Sequence, residues 1–113
     1  MFGACGGLSG RYRLQPEFAL GGVLGPEPGR ARLLADNSPT LLAESRVPAL
    51  AGVRIYFDCG VSDDPIEDNR ELDRVLTRAH VAHEFHAFPG GHTWRYWRTH
   101  LPEALEYVTA STP

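Results

Sequence analysis

Two residues in this 113-residue chain are candidates for a hydrogen-bonded acid–base pair: a carboxylate at Asp63 and an imidazole at His92, 29 positions apart. Each follows a run that reads as a strand, Asp63 after a short turn containing Gly60 and His92 after Pro89-Gly90-Gly91. Were the two strands neighbours in a parallel sheet, both side chains would emerge at the same edge. A carboxylate that accepts from imidazole Nδ1–H fixes the tautomer and leaves Nε2 free to take a proton from a hydroxyl nucleophile. Asp64 stands next to Asp63 and is the fallback acid; both also suit the start of the helix opened by Pro65, where acidic residues meet the positive end of the helix dipole.

Three other patterns compete for attention. His80, His83 and His86 recur every third residue, which invites a zinc site. A helix end at His80 and a strand holding the other two sends His83 and His86 to opposite faces, so metal binding is not expected. Gly3-Ala4-Cys5-Gly6-Gly7 spells the Gly-x-Cys-x-Gly of a thiol nucleophile on a tight turn. Such a turn needs a strand before it and a helix after it, yet two residues precede Gly3 and the turn pair Ser9-Gly10 follows. Cys5 and Cys59 both read as buried free thiols, each inside an apolar run.

The elements that must position these groups follow from the same residues. Residues 1–8 form a small apolar run, expected as a buried strand. From Arg11 to Asp36 the chain carries seven Gly or Pro breakers and is expected to be a surface excursion with at most a helical turn. Ser38-Pro39 starts a short helix ending before Pro48, with Ser38 as cap. Val53–Asp58 is β-branched and aromatic, a largely buried strand. A helix runs from Asp63-Asp64-Pro65 to about Ala79, with Leu72, Val75, Leu76 and Ala79 in one stripe. Val81–Phe88 is a short strand. The last helix spans about Thr93 to Thr109, its apolar spacing at Trp94, Trp97, Leu101, Leu105 and Val108, with a kink or restart at Pro102. Core packing accounts for Trp94 and Trp97 better than a pocket wall beside His92 does for Trp94, and Arg95 and Arg98 are expected on a solvated face. Strand, helix, strand, helix at these lengths gives an α/β layer arrangement with parallel strands, whose ligand chemistry gathers at the strands' carboxyl ends.

Ile55-Tyr-Phe-Asp-Cys-Gly-Val-Ser-Asp-Asp-Pro65, then Asn69 and Leu72, then Phe88-Pro-Gly-Gly-His-Thr-Trp-Arg-Tyr-Trp97, closely resemble the C-terminal part of the putative-esterase branch of the α/β-hydrolases. That branch includes S-formylglutathione hydrolases, feruloyl and acetyl-xylan esterases, enterochelin esterases and mycolyltransferases. Leu8-Ser9-Gly10 and Asn37-Ser38-Pro39 look like the family's stretch after its nucleophile helix. The resemblance implies an α/β-hydrolase fold of about three parallel strands with crossover helices. It also implies a serine esterase acting on carboxylic or thioesters of small acyl groups, with Asp63 as triad acid and His92 as triad base. The family's nucleophile is a Ser in a Gly-x-Ser-x-Gly elbow, and no such pentapeptide occurs in these 113 residues. Residues 1–113 are therefore expected to be the C-terminal portion of a single hydrolase domain, nearly inert alone. A partial core of this size is expected to leave little margin over conformational entropy.

Composition bounds the alternatives. Net charge is -3, all eleven basic residues are Arg, and no basic run suggests a nucleic-acid partner. Neither a secretory signal nor an apolar span of about 18 residues is visible, which favours a cytoplasmic location and no membrane partner. No cofactor or metal is expected. A small-molecule ester is the expected substrate of the complete enzyme. The alternative is a non-catalytic hydrolase remnant that self-associates or binds a partner through an exposed sheet edge.

Overall fold

In the computed structural model, which describes residues 2–15 and 21–110, three parallel strands stand in the order β1-β2-β3. They are β1 (Ala4–Leu8), β2 (Arg54–Gly60) and β3 (His83–Phe88). Between β1 and β2 lie α1 (Gly21–Leu24), α2 (Gly29–Asp36), α3 (Pro39–Ser45) and a 3₁₀ turn at Val47–Leu50. The connection from β2 to β3 is α4 (Ile66–Arg78), and α5 (Trp94–Thr109) follows β3. Met1 of the expected first strand and residues 16–20 of the expected excursion lie outside the described residues. No helix among the described residues is long and apolar enough to cross a membrane.

Central β2 dictates the layers. Its side chains alternate between faces, and helices cover both. Phe57 meets Ala43 of α3 and Leu72, Val75 and Leu76 of α4 in the main core. On the opposite face Tyr56 packs its ring 5.4 Å from Tyr107 of α5. Hydrophobic spacing in α4 works as its sequence indicates, because Leu72, Val75 and Leu76 fall on one stripe and all are buried.

Four local readings need correction. Residues 29–36 form a two-turn helix where an irregular excursion was expected, since the breakers Gly25, Pro26 and Pro28 all precede it and none interrupts Arg30–Asp36. Ser38 does occupy the cap position of α3, but its hydroxyl donates to Leu34 O (2.7 Å) and accepts from Leu14 N (2.9 Å), tying the excursion down instead of capping the helix. Cys5 is exposed on the outer strand β1, whereas Cys59 on central β2 is buried. Finally, α5 runs unbroken through Pro102 and turns a different face to the sheet. Tyr96 and Ala104 are its buried residues, while Trp94, Leu101 and Leu105 are 73%, 45% and 51% exposed. Of the expected stripe, Trp97 and Val108 are half-buried and turn inward while the other three face out; the packed face also carries Tyr96 and Ala104.

Both ends of α5 are fixed, which explains why the exposed Pro102 does not split it. Thr93 Oγ1 accepts from Tyr96 N at the start, and Arg54 donates to Tyr107 O and Ala110 O, both at 2.7 Å, at the end. The middle is held by a polar bond: fully buried Asp58 of β2 accepts from Tyr96 Oη (2.7 Å) and Tyr56 Oη (3.0 Å). A carboxylate inside a sheet is costly unless such donors meet it.

Burial is the main influence on Asp58 and raises its pKa, the two tyrosine hydrogen bonds opposing it. The folded protein thus holds the Asp58 proton more tightly than the unfolded chain, whose carboxylate titrates near 3.8. Stability from this group rises as pH falls from the raised folded value towards 3.8, and is lost as pH climbs back through that window. Asp58→Asn lacks this linkage. Urea unfolding of both proteins at neutral and mildly acidic pH should show the stability difference moving in favour of wild type as pH drops; the opposite slope would contradict the assignment.

Candidate active site

The carboxyl ends of β2 and β3 lie side by side, Gly60 opposite Phe88, and two loops leave from there. Val61 N donates to Phe88 O and Ser62 N to Gly90 O, each at 2.9 Å, so the loops are stitched together by backbone. This contact depends on glycine at two points. A Cβ on Gly60 would stand inside contact distance of the Gly90 carbonyl oxygen, and Gly90 has φ +131°, a conformation open to glycine alone.

On this rim His92 Nδ1 lies 3.0 Å from Asp63 Oδ2. Their environments differ sharply: the Asp63 side chain is 1% exposed and that of His92 is 61% exposed. Asp63 is fixed from its own backbone as well, its N–H donating to Gly60 O and its carbonyl accepting from Ile66 N. Asp64, the fallback acid, is exposed. A cleft of about 330 Å³ opens beside the pair, lined by Ser9, Arg11, Ser62, Asp63, Asp64, Pro65 and His92. Chemically, an imidazole bonded at Nδ1 to a buried carboxylate and open to a cleft can accept a proton at Nε2 and return it.

Residues to which the sequence assigned no site role complete the rim. Ser9, just past β1, has φ +55° and donates its N–H to Asp58 O (2.8 Å). Its Oγ accepts from Trp97 Nε1 at 3.0 Å, and the Trp97 ring stands perpendicular to His92 with centroids 4.8 Å apart. Asn69, fully buried, donates Nδ2 to Gly10 O and Pro65 O, locking the loop after β1 to the start of α4. The spacing of Trp94 and Trp97 was visible, but which indole turns inward was not. Trp94 turns out to be exposed, edge-on to Trp97 at 5.2 Å, and neither Trp is a fully buried core residue.

Other candidates are dispersed. Cys5 pairs with Ile55, five residues before Gly60, about 16 Å from the rim at roughly 3.3 Å per residue. A nucleophile on a strand-to-helix elbow belongs at the carboxyl end, so Cys5 is at the wrong end of its strand. Cys59 is buried, its thiol pushed up to about 12 chiefly by that burial, and is not a nucleophile. His83 bonds Asp73 Oδ1 and stacks on Phe57 of the α4 face, whereas His86 bonds Glu84 and neighbours Tyr56 on the other. Among the described residues no group of three or more His, Cys, Asp or Glu could hold a metal ion.

A parallel sheet flanked by helices on both faces, with a carboxylate and an imidazole joined at its carboxyl rim, is the architecture of the α/β-hydrolases. The chain belongs to the esterase family described as "Putative esterase", whose model matches residues 1–108. It is 29% identical over 56 residues to an acetyl esterase of Caldicellulosiruptor saccharolyticus, a stretch covering 50% of this chain and 21% of that protein. It is also similar in structure to a ferulic acid esterase, with a TM-score of 0.76 and 26% identity over 96% of this chain and 42% of the other. The chain thus spans well under half the length of either relative.

Gly60→Ala tests how the rim is built. The added methyl group must push the Gly90 carbonyl away, breaking the Ser62 N–H bond to it and pulling His92 from Asp63, at about 1–3 kcal/mol of destabilisation. Denaturant unfolding together with amide exchange at Ser62 measures both effects. Wild-type stability and unchanged Ser62 protection would mean the close approach is unimportant.

Proposed function

We propose that this chain supplies the acid and base of a serine esterase that cleaves carboxylic or thioesters of small acyl groups. The single observation that carries the reading is the 3.0 Å contact between buried Asp63 and exposed His92 at the strand ends. Membership of the esterase family and likeness to an acetyl esterase and a ferulic acid esterase support the ester-cleaving class.

His92, carrying its proton on Nδ1 and donating it to Asp63, takes the serine hydroxyl proton at Nε2 as the oxygen attacks the ester carbonyl. It then protonates the departing alcohol or thiol, and the cycle repeats with water attacking the acyl-serine. Asp63 stays ionised and stabilises the imidazolium. Its near-complete burial strengthens that interaction by excluding water from one side. The serine stands on a Gly-x-Ser-x-Gly elbow outside these 113 residues. The strand carrying that elbow fits the free edge of β1, because its carboxyl end then falls beside Ser9 and the cleft.

A chimera in which these 113 residues replace the matching 42% of the ferulic acid esterase should hydrolyse a chromogenic acetate ester. In it, His92→Ala and Asp63→Asn should each lower kcat about 10⁴-fold, while Asp64→Asn changes it little. The 113-residue chain alone should show almost no turnover. Undiminished hydrolysis by the His92→Ala chimera would refute the assignment.

A second reading is favoured by the outer edge of the sheet. Among the described residues nothing pairs with the free side of β1. Beside it lies an apolar groove of about 480 Å³ lined by residues such as Tyr12, Leu42, Leu50, Phe57 and Leu76. An unpaired strand over an apolar groove is a template for association, and a second copy would satisfy it in a non-catalytic module. Sedimentation at micromolar concentration should then show dimers or larger species that Cys5→Arg, on the edge, reduces. A cooperatively folding monomer would exclude this reading and leave the first untouched.

A further inference from the structure

His92 is the least restrained member of its pair. It sits on a loop with two glycines, more than half of its side chain faces solvent, and the bond to Asp63 fixes only Nδ1. A ring held at one atom can still swing about that contact. The ring packed against it is Trp97, which stands perpendicular to the imidazole at 4.8 Å.

Trp97 is itself held from a different part of the chain. Its indole Nε1–H donates to Ser9 Oγ at 3.0 Å. Ser9 is 7% exposed, kept in the left-handed region at φ +55°, and bonded through its N–H to Asp58 O of β2. The indole plane is thereby referenced to the sheet and not to the solvent face of α5, where neighbouring Trp94 stands 73% exposed. Residues 9, 97 and 92 form one strut from the end of β1 to the imidazole.

We propose that Trp97, pinned by Ser9, is a positioning residue that keeps His92 in its Asp63-bonded orientation with Nε2 facing the cleft, an inference that rests on the acid–base reading of that pair. Trp97 touches no reacting atom in this role. Its indole sets the direction in which the base points.

The test reads the ring, not turnover. Long-range ¹H–¹⁵N correlation spectra of the histidines in the 113-residue chain report which His92 nitrogen is protonated. In wild type, His92 should be protonated at Nδ1, with a slowly exchanging proton that Asp63→Asn abolishes. Trp97→Phe removes the indole N–H and Ser9→Gly removes its acceptor at a φ that glycine adopts freely. Each should lose the Nδ1–H resonance to exchange and tautomer averaging, and the double variant should be no worse than either single one, since both cut the same bond. Should Trp97→Phe fail to fold, Ser9→Gly alone decides. Wild-type His92 spectra in Ser9→Gly, with the Trp97 indole N–H freed to exchange, would overturn the strut while sparing the pair. Absence of the Nδ1–H signature in wild type would overturn the pair and the strut with it.

Discussion

A hydrogen bond between a carboxylate shut away from water and an imidazole open to it is the interaction around which this molecule is arranged. Asp63 and His92 come from loops after adjacent parallel strands, so their meeting requires the two loops to touch. Backbone contact at that distance admits no side chain between, hence Gly60 against Gly90. Each glycine costs conformational entropy on folding. That cost is offset by the paired Val61 and Ser62 amides, which turn two flexible loops into one rim. Strand order does the coarse positioning and glycine does the fine positioning.

Beneath the rim the same logic repeats with buried polar groups. Asp58, in the middle of the central strand, would be an error in an apolar core were it not met by Tyr56 and Tyr96. Those bonds give a direction that hydrophobic packing lacks, because a Leu in place of Tyr96 could slide along the sheet while a hydroxyl aimed at one carboxylate oxygen cannot. Tyr96 is the third residue of α5 and its ring lies under Gly90, so the bond to Asp58 sets both the rotation of the helix and the height of the loop that bears His92. Helix placement and site geometry are thereby coupled through one buried side chain.

The sheet itself was legible in the residues. β-Branched and aromatic Ile55-Tyr56-Phe57 could only be a buried strand, and the spacing of Leu72, Val75 and Leu76 could only be a helix covering it. The parallel order followed from the alternation of strand and helix, and with it the placing of Asp63 and His92 on one edge. Illegible parts share a physical cause: they depend on partners distant in sequence. Ser38 looks like a cap until Leu14 arrives from 24 residues away to claim its hydroxyl. The apolar spacing of α5 pointed to Trp94, Trp97, Leu101, Leu105 and Val108, of which Trp97 and Val108 turn inward; the bond to Asp58 and the small Ala104 set the rotation that leaves the other three outside. Cys5 read as buried because its neighbours are apolar, yet strand position, not local composition, decides exposure, and β1 stands at the edge of the described sheet.

That edge explains an otherwise odd division of the surface. Trp94, Leu101 and Leu105 on α5, Phe2 ahead of β1, and the groove under Tyr12 and Leu42 all expose apolar area, whereas the helical face beside Asp68 and Glu71 is closed by ionic contacts. Asp68 accepts from Tyr12 N and Arg13 N, and Glu71 grips the Arg13 guanidinium from two sides, holding its own carboxyl below the usual range through that bond. Polar ties of this kind seal a surface that stays in water, and apolar area left open asks for cover. Open apolar area also reaches Val23 of α1, Leu33 of α2 and Val61 on the rim, and the groove borders α4 through Leu72 and Leu76. Asp63 and His92 follow β2 and β3, yet Ser9, just past β1, reaches His92 through the Trp97 indole, so the β1 edge and the rim meet at that contact.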